Sequence, residues 1–379
     1  MTTRAGFRFG PARVAVETDD RDVSRWLTEF VTPWFEGCAA HPGDRVVRFT
    51  ASRAAFAAAQ RQCAAATTRP LACFSLDREV ATLPGWTDGG ATFAADTEMG
   101  SFYRVSAAGV EVLARPEYSR ARIGLMRVVR EILVGGRRAV QRLLDLHAAA
   151  FATPGGAILL AGPKQAGKTT LLTHALQSGR ASLIANDRVL VDVEPGSPAV
   201  IGVPTVVSVR AGTLELFPWL RRAQDERPAL LHGAETAASA IAVPPGAAPS
   251  REFGLSLAQL AQRCGSATTR RAPAAAIVFP EIDLASRGWS LEPLAGEAGT
   301  LRLLDSRYGI RGMPRPPTIF DEPASRGEPQ GESTHTQIAR LAAAVPLFRC
   351  RLGPGAYRDG AGALLAALTG EPLPAAPAQ

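Results

Sequence analysis

The feature that most constrains this chain is a continuous run from Ala157 to Asp192, AILLAGPKQAGKTTLLTHALQSGRASLIANDRVLVD. Ala157-Ile158-Leu159-Leu160-Ala161 is a short apolar run of the length of a buried strand. It leads directly into Gly162-Pro163-Lys164-Gln165-Ala166-Gly167-Lys168-Thr169, which fits G-x-x-x-x-G-K-[ST], the phosphate-binding loop. Gly162 and Gly167 allow the backbone N–H groups to turn inward around an anion, which side chains would hinder. In this motif Lys168 reaches the outer phosphates and the Thr169 hydroxyl ligates Mg²⁺. Thr170, Leu171, Leu172, Ala175 and Leu176 continue as an amphipathic helix whose positive N-terminal end faces the anion, and Gly179 is placed to stop it. The cofactor-binding residues expected from the loop are therefore Gly162, Pro163, Lys164, Gln165, Ala166, Gly167, Lys168, Thr169 and Thr170.

Composition sharpens this reading. Of the 42 basic residues only two are lysines, Lys164 and Lys168, and both lie in the loop. A chain that otherwise uses arginine keeps the compact, flexible ammonium where a phosphate needs it. The +7 formal charge comes from arginines scattered along the chain, with no basic run and no interleaved aromatics, so a nucleic-acid groove is not expected. Five cysteines, odd in number and without a C-x-x-C pair, read as buried free thiols, not as a zinc site or disulfide framework. The sequence shows no signal-peptide core and no apolar stretch of transmembrane length, so a cytoplasmic protein without a membrane partner is expected. The oligomeric state is left open, a homo-oligomer included.

Residues 1–115 read as a smaller N-terminal α/β domain. Its expected elements are a strand at Arg13–Val16, a helix from Asp22 to Phe35, a strand at Val46–Phe49 and a helix from Ser52 to Ala66. Pro84-Gly85 and Asp88-Gly89-Gly90 are expected turns, and Phe102–Val105 and Val110–Leu113 an expected hairpin. Residues 116–146 read as bridging helices interrupted at Gly135-Gly136. Residues 147–370 form the expected phosphate-loop domain, followed by a disordered tail over 371–379. Inside that domain, residues 223–251 read as a long loop over the site and 313–336 as a mobile segment. Pro280 is expected to end the strand that begins near Ala275.

Two neighbours narrow what the loop serves. His147 precedes Gly162 by 15 residues, and Asn186-Asp187 ends the apolar strand Ser182-Leu183-Ile184-Ala185, with Asp187 only 19 residues beyond Lys168. His147, Pro154-Gly155-Gly156, the loop and Asn186-Asp187-Arg188-Val189 together resemble the HPr kinase/phosphorylase-like family. The nucleotide core of that family is related to phosphoenolpyruvate carboxykinase. The resemblance covers about residues 120–368 and is strongest over 147–192. It implies an α/β fold with that nucleotide core, and an ATP- and Mg²⁺-dependent phosphotransferase. Thr169 and Asp187 would be the metal ligands and Asp187, His147 and Lys168 the catalytic residues. The acceptor would be a Ser or Thr hydroxyl on a peptide or protein, or a small alcohol.

The departures from the family pattern matter as much. Asn186 stands where the family has the first acid of its pair, and an amide cannot take a proton at neutral pH. The base is then Asp187 or His147, or the chain is an ATP-binding regulatory or assembly protein with little transfer activity. The family's Arg-Gly appears as Ile201-Gly202, and its long C-terminal signature has no match, so HPr itself is not the expected substrate. Three plainer readings stay open: His147 as a packed helix-terminal histidine, Asn186 as a turn residue, and the acids of Ile277–Asp283 as the metal-binding strand.

Overall fold

The computed structural model describes residues 2–75, 79–117, 120–141, 143–194, 196–209, 253–308, 317–321, 333–356 and 361–369, with single positions between 213 and 220. The chain divides into two compact units. The first holds the described residues up to Gln141 together with 317–321; the second holds the other described residues. No described helix is long and apolar enough to cross a membrane.

The first unit opens with β1 (Thr3–Phe9), β2 (Ala12–Thr18), α1 (Arg21–Val31), β3 (Glu36–Cys38), β4 (Arg45–Ala51) and α2 (Arg53–Ala65). β5 (Arg69–Ser75), β6 (Val80–Asp88), β7 (Ala91–Asp96), β8 (Ser101–Ser106), β9 (Gly109–Ala114) and α3 (Ala121–Val140) follow. Nine described strands form one sheet in the order β3-β1-β2-β4-β9-β8-β7-β6-β5. Asp20 caps α1 by accepting from the N–H groups of Asp22 and Val23, and Ser52 caps α2 through Ala55. α1 stops at Val31, short of the expected Phe35, because Pro33 disfavours the helical region for Thr32.

Two glycine readings are corrected. Pro84 and Gly85 do not turn; they lie inside β6. The register sets Pro84 opposite Pro70, so neither presents an N–H there, and a Cβ on Gly85 would meet the Leu71 side chain at 2.2 Å. Gly135-Gly136 do not interrupt α3, which runs unbroken through them. A Cβ on Gly135 would come within 2.7 Å of Asp321 Oδ1, and one on Gly136 within 3.1 Å of the Ala12 Cβ. The pair is there for close approach, which outweighs about 1 kcal/mol of lost helix propensity per glycine.

The second unit contains β10 (Leu143–Leu146), β11 (Ala148–Thr153), β12 (Gly156–Ala161), α4 (Lys168–Gln177), β13 (Ser182–Ala185) and β14 (Val189–Asp192). Then come β15 (Ala199–Gly202), β16 (Val207–Val209), β17 (Phe253–Leu255), α5 (Leu257–Arg263), β18 (Arg271–Ile282) and β19 (Trp289–Leu294). α6 (Gly296–Asp305), α7 (Thr334–Ala344), β20 (Leu347–Leu352) and α8 (Ala361–Thr369) complete it. The main sheet runs β10-β14-β15-β18-β12-β11-β13, with β20 on β18 and β19 on β20. β12 and β18 are parallel neighbours, so their carboxyl ends open at the same edge. All six residues of β12 are buried, and Leu159 and Leu160 each contribute about 1.5–3 kcal/mol by leaving water.

β18 continues through Pro280 to Ile282, against the expected break. Beyond Val278 its one partner among the described strands is β20, and proline is tolerated at a strand edge. The segment expected to be mobile also needs correction where it is described. The Ile319 N–H donates to the Ala72 carbonyl at 2.9 Å, and the buried Phe320 ring lies 5.2 Å from Phe74 and 5.5 Å from Tyr103. The expected loop over 223–251 and the tail over 371–379 lie outside the described residues.

Candidate functional site

The loop sits where the fold leaves polar backbone exposed, at the carboxyl end of β12. Gly162 has φ +145° and Gly167 has φ +97°. A Cβ on Gly162 would meet only ordinary contacts, at 3.7 Å from Ala166 and 3.8 Å from the Pro280 carbonyl. Conformation rather than space therefore requires glycine there. Gln165 is the one non-glycine residue with positive φ among the described residues, at +69°. That costs of order 1 kcal/mol and is the kind of strain that clusters at ligand clamps.

α4 starts at Lys168 behind a left-handed Gly167, and no side chain caps it. The first N–H groups of a helix need partners, and an uncapped end at the rim of a sheet suits an anion. Pro163, Lys164 and Gln165 are exposed, Ala166 and Lys168 buried, and Gly162, Gly167, Thr169 and Thr170 half-buried. The Lys168 ammonium folds back across the loop and donates to the carbonyls of Gly162 at 2.8 Å and Pro163 at 2.9 Å. At the far end of α4, burial holds His174 below the usual imidazole range.

β13 delivers the acidic turn. The Asn186 side chain is buried, and its carbonyl accepts the Thr169 hydroxyl at 3.1 Å. Asn186 is thus more than a turn former, because it fixes the hydroxyl that follows the loop lysine. Asp187 is half-exposed, and its Oδ1 lies 3.7 Å from His147 Nδ1. This is an ion-pair distance, longer than a hydrogen bond, and the imidazole is charged there only when protonated. His147 is buried between two strands, β10 and β11, and not at a helix end. Lys168, Thr169, Asn186, Asp187 and His147 are thus linked pairwise around one edge of the sheet.

Glu281, the first of the two acids in Ile277–Asp283, is engaged elsewhere. Ile277 and Phe279 belong to the core formed with Leu303 of α6 and Ile338 and Leu341 of α7. Alternation along the strand sends Glu281 to that same face. There it pairs with Arg302 of α6 at 2.5 Å, while the Arg302 guanidinium lies over Phe279. Leu146 and Ala148 also join this core, which leaves His147 on the opposite face.

Three residues at this edge have no role assigned in the sequence reading: Asp145, Tyr308 and Arg188, which appears there only inside the quoted motif. Arg188 is wholly buried and donates to both carboxylate oxygens of Asp145, Nε to Oδ1 at 3.0 Å and Nη2 to Oδ2 at 2.8 Å. Its guanidinium carbon lies 4.3 Å from the Tyr308 ring centroid. The sequence carries a signal for one of them. Asp145 is a single charge in Leu143–Leu146, and a charge inside a buried apolar run needs a partner, whereas Arg188 follows the charged Asp187 and Tyr308 carries no such mark. Among the described residues no three His, Cys, Asp or Glu side chains gather as a metal cluster. A phosphate-loop Mg²⁺ needs only one or two carboxylates, a hydroxyl and the phosphates themselves. No protein-family model and no curated protein matches the chain.

Proposed function

We propose that this protein is an ATP- and Mg²⁺-dependent phosphotransferase of the HPr-kinase-like kind. Its acceptor is a Ser or Thr hydroxyl on a peptide or protein other than HPr, or a small alcohol. The observation that carries the reading is the arrangement at the end of β12. An uncapped helix N-terminus, the loop lysine, the Thr169 hydroxyl and an acid beside a histidine meet at one edge. Phosphoryl transfer is mostly positioning and charge stabilisation, so this small set is enough.

The loop N–H groups would cradle the phosphates, and Lys168 Nζ would leave the Gly162 and Pro163 carbonyls for the transferred group. Bound Mg²⁺ would supply charge neutralisation, held by Thr169 Oγ1 and the Asp187 carboxylate. Asp187 also faces His147, so an incoming hydroxyl can be oriented by one and lose its proton to the other. One observation favours a second reading, an ATP-binding regulatory protein with weak transfer. Asn186 replaces an acid and its amide is engaged with Thr169.

The chain's two lysines make a direct test available. An amine-reactive ATP analogue should label Lys168 or Lys164, and excess ATP should protect both. Lys168→Ala should abolish ATP consumption with hydroxyl acceptors while the backbone cradle keeps partial binding. Full turnover in Lys168→Ala sinks the phosphate-loop reading. ATP binding without transfer to any hydroxyl acceptor favours the regulatory one.

A further inference from the structure

Buried charges lie behind these groups. Arg188 directly follows Asp187 and Asp145 lies two residues before His147, so their ion pair joins the backbones that carry both groups. Tyr308 neighbours both. The Arg188 guanidinium lies over its ring, and the His147 imidazole is nearly parallel to it, with centroids 6.3 Å apart and planes 17° from parallel. The same segment is tied down by its backbone. The Tyr308 N–H donates to the Asp145 carbonyl at 2.8 Å, and the His147 N–H donates to the Ser306 carbonyl at 2.7 Å. Residues 306–308 thus lie along β10 as a short added strand, with Leu146 bridged to Arg307. Beyond the turn, the Val203 N–H donates to the Arg188 carbonyl at 3.3 Å.

A buried ion pair is a poor stabiliser, since apolar side chains of the same volume often serve stability as well or better. What it provides is direction, because a bidentate guanidinium–carboxylate pair fixes two planes relative to each other. The geometry points to Arg188, Asp145 and Tyr308 as a clamp that presets the Asn186-Asp187 turn and the His147 ring against Thr169. The acid then meets the metal side of the phosphate loop without reorganising. The three act through Asp187 and His147 and are positioning residues. The inference rests on the phosphate-site reading of Lys168, Thr169 and Asp187.

The test uses the full chain and two readouts. ATP affinity is measured by calorimetry in EDTA and with Mg²⁺, for wild type, Tyr308→Leu, Tyr308→Phe and Lys168→Ala. Metal sites lose about 10–100-fold in affinity when the groups orienting their ligands are removed. Tyr308→Leu should therefore keep the EDTA affinity and lose about tenfold of the gain on adding Mg²⁺, and Tyr308→Phe should restore it. Lys168→Ala should weaken binding in both conditions. A Tyr308→Leu protein that keeps the whole Mg²⁺ gain, or loses affinity equally in both conditions, overturns the clamp. No ATP binding by wild type overturns the phosphate-site reading, and the second readout then judges the clamp alone. The chain has five histidines, so the His147 ring signal can be assigned by NMR with His147→Gln. Arg188→Lys keeps the charge but not the bidentate fork. The His147 signal should shift or broaden in Arg188→Lys and in Tyr308→Leu. An unmoved His147 signal in both variants overturns the clamp.

Discussion

The two sheets use charge in opposite ways. In the first unit a row of alternating charges crosses five strands: Arg4 on β1, Glu17 on β2, Arg48 on β4, Glu111 on β9 and Arg104 on β8. Each pair occupies directly opposed positions in the strand register. The arginines are about half exposed, so each pair is screened and contributes little to stability. A slip of one residue would break every pair and send every side chain to the other face, so the row favours one register. In the second unit β10 and β14 are mostly apolar, and Asp145 of β10 pairs in a buried setting with Arg188, just ahead of β14. There the cost of desolvation is high, and the return is a fixed orientation beside the candidate site. The contrast teaches that exposed charge can specify pairing cheaply, whereas buried charge marks a place where geometry matters more than stability.

The largest effect should come from breaking the buried pair on one side. Arg188→Met leaves Asp145 without its guanidinium in an apolar setting and should cost about 3–5 kcal/mol in denaturant unfolding. Adding Asp145→Leu should recover much of that loss. A single variant as stable as wild type would remove the distinction between the two sheets. A comparable loss is expected from the apolar anchor of the first unit. Phe320→Ala removes a fully buried ring from between Phe74 and Tyr103 and should cost about 3 kcal/mol. A loss below about 1 kcal/mol would mean that residues 317–321 are not part of that core. The smallest effect belongs to the charge row. Arg48→Ala, which takes away the partner of both Glu17 and Glu111, should cost no more than about 1 kcal/mol, and less at high salt. A salt-independent loss of several kcal/mol would show that the row stabilises the fold as well as its register.

Much of this architecture is legible in the sequence because local rules decide it. The hairpin of β8 and β9, the helix α2 and the strand–loop–helix of β12 and α4 follow from periodicity and glycine positions. The bridging-helix reading of residues 116–146 fails at its end, where Leu143–Leu146 is the strand β10, and other readings fail where proline or glycine counts as punctuation. Pro84-Gly85, Gly135-Gly136 and Pro280 all lie inside regular elements, since each meets a neighbour the sequence does not name. The candidate site divides in the same way. Gly162, Gly167, Lys168, Thr169, His147 and Asp187 stand out by residue type and spacing, whereas Asp145 is marked only by its place in an apolar run, and Arg188 and Tyr308 gain their place through their contacts.

The sequence by itself determined the elements with a local cause. The strand–loop–helix of β12 and α4 is one, where an apolar run, two glycines and a helical period follow one another within a single window. The tertiary structure alone decided which distant residues meet. It paired Arg188 with Asp145, 43 positions away, and set Tyr308 against His147. It also returned residues 317–321 to the first unit after the chain had built most of the second. The physical reason is that burial and charge pairing act on proximity in space, and the strand order that creates proximity is not written in any local window. One apolar strand reads like another until its neighbours are known.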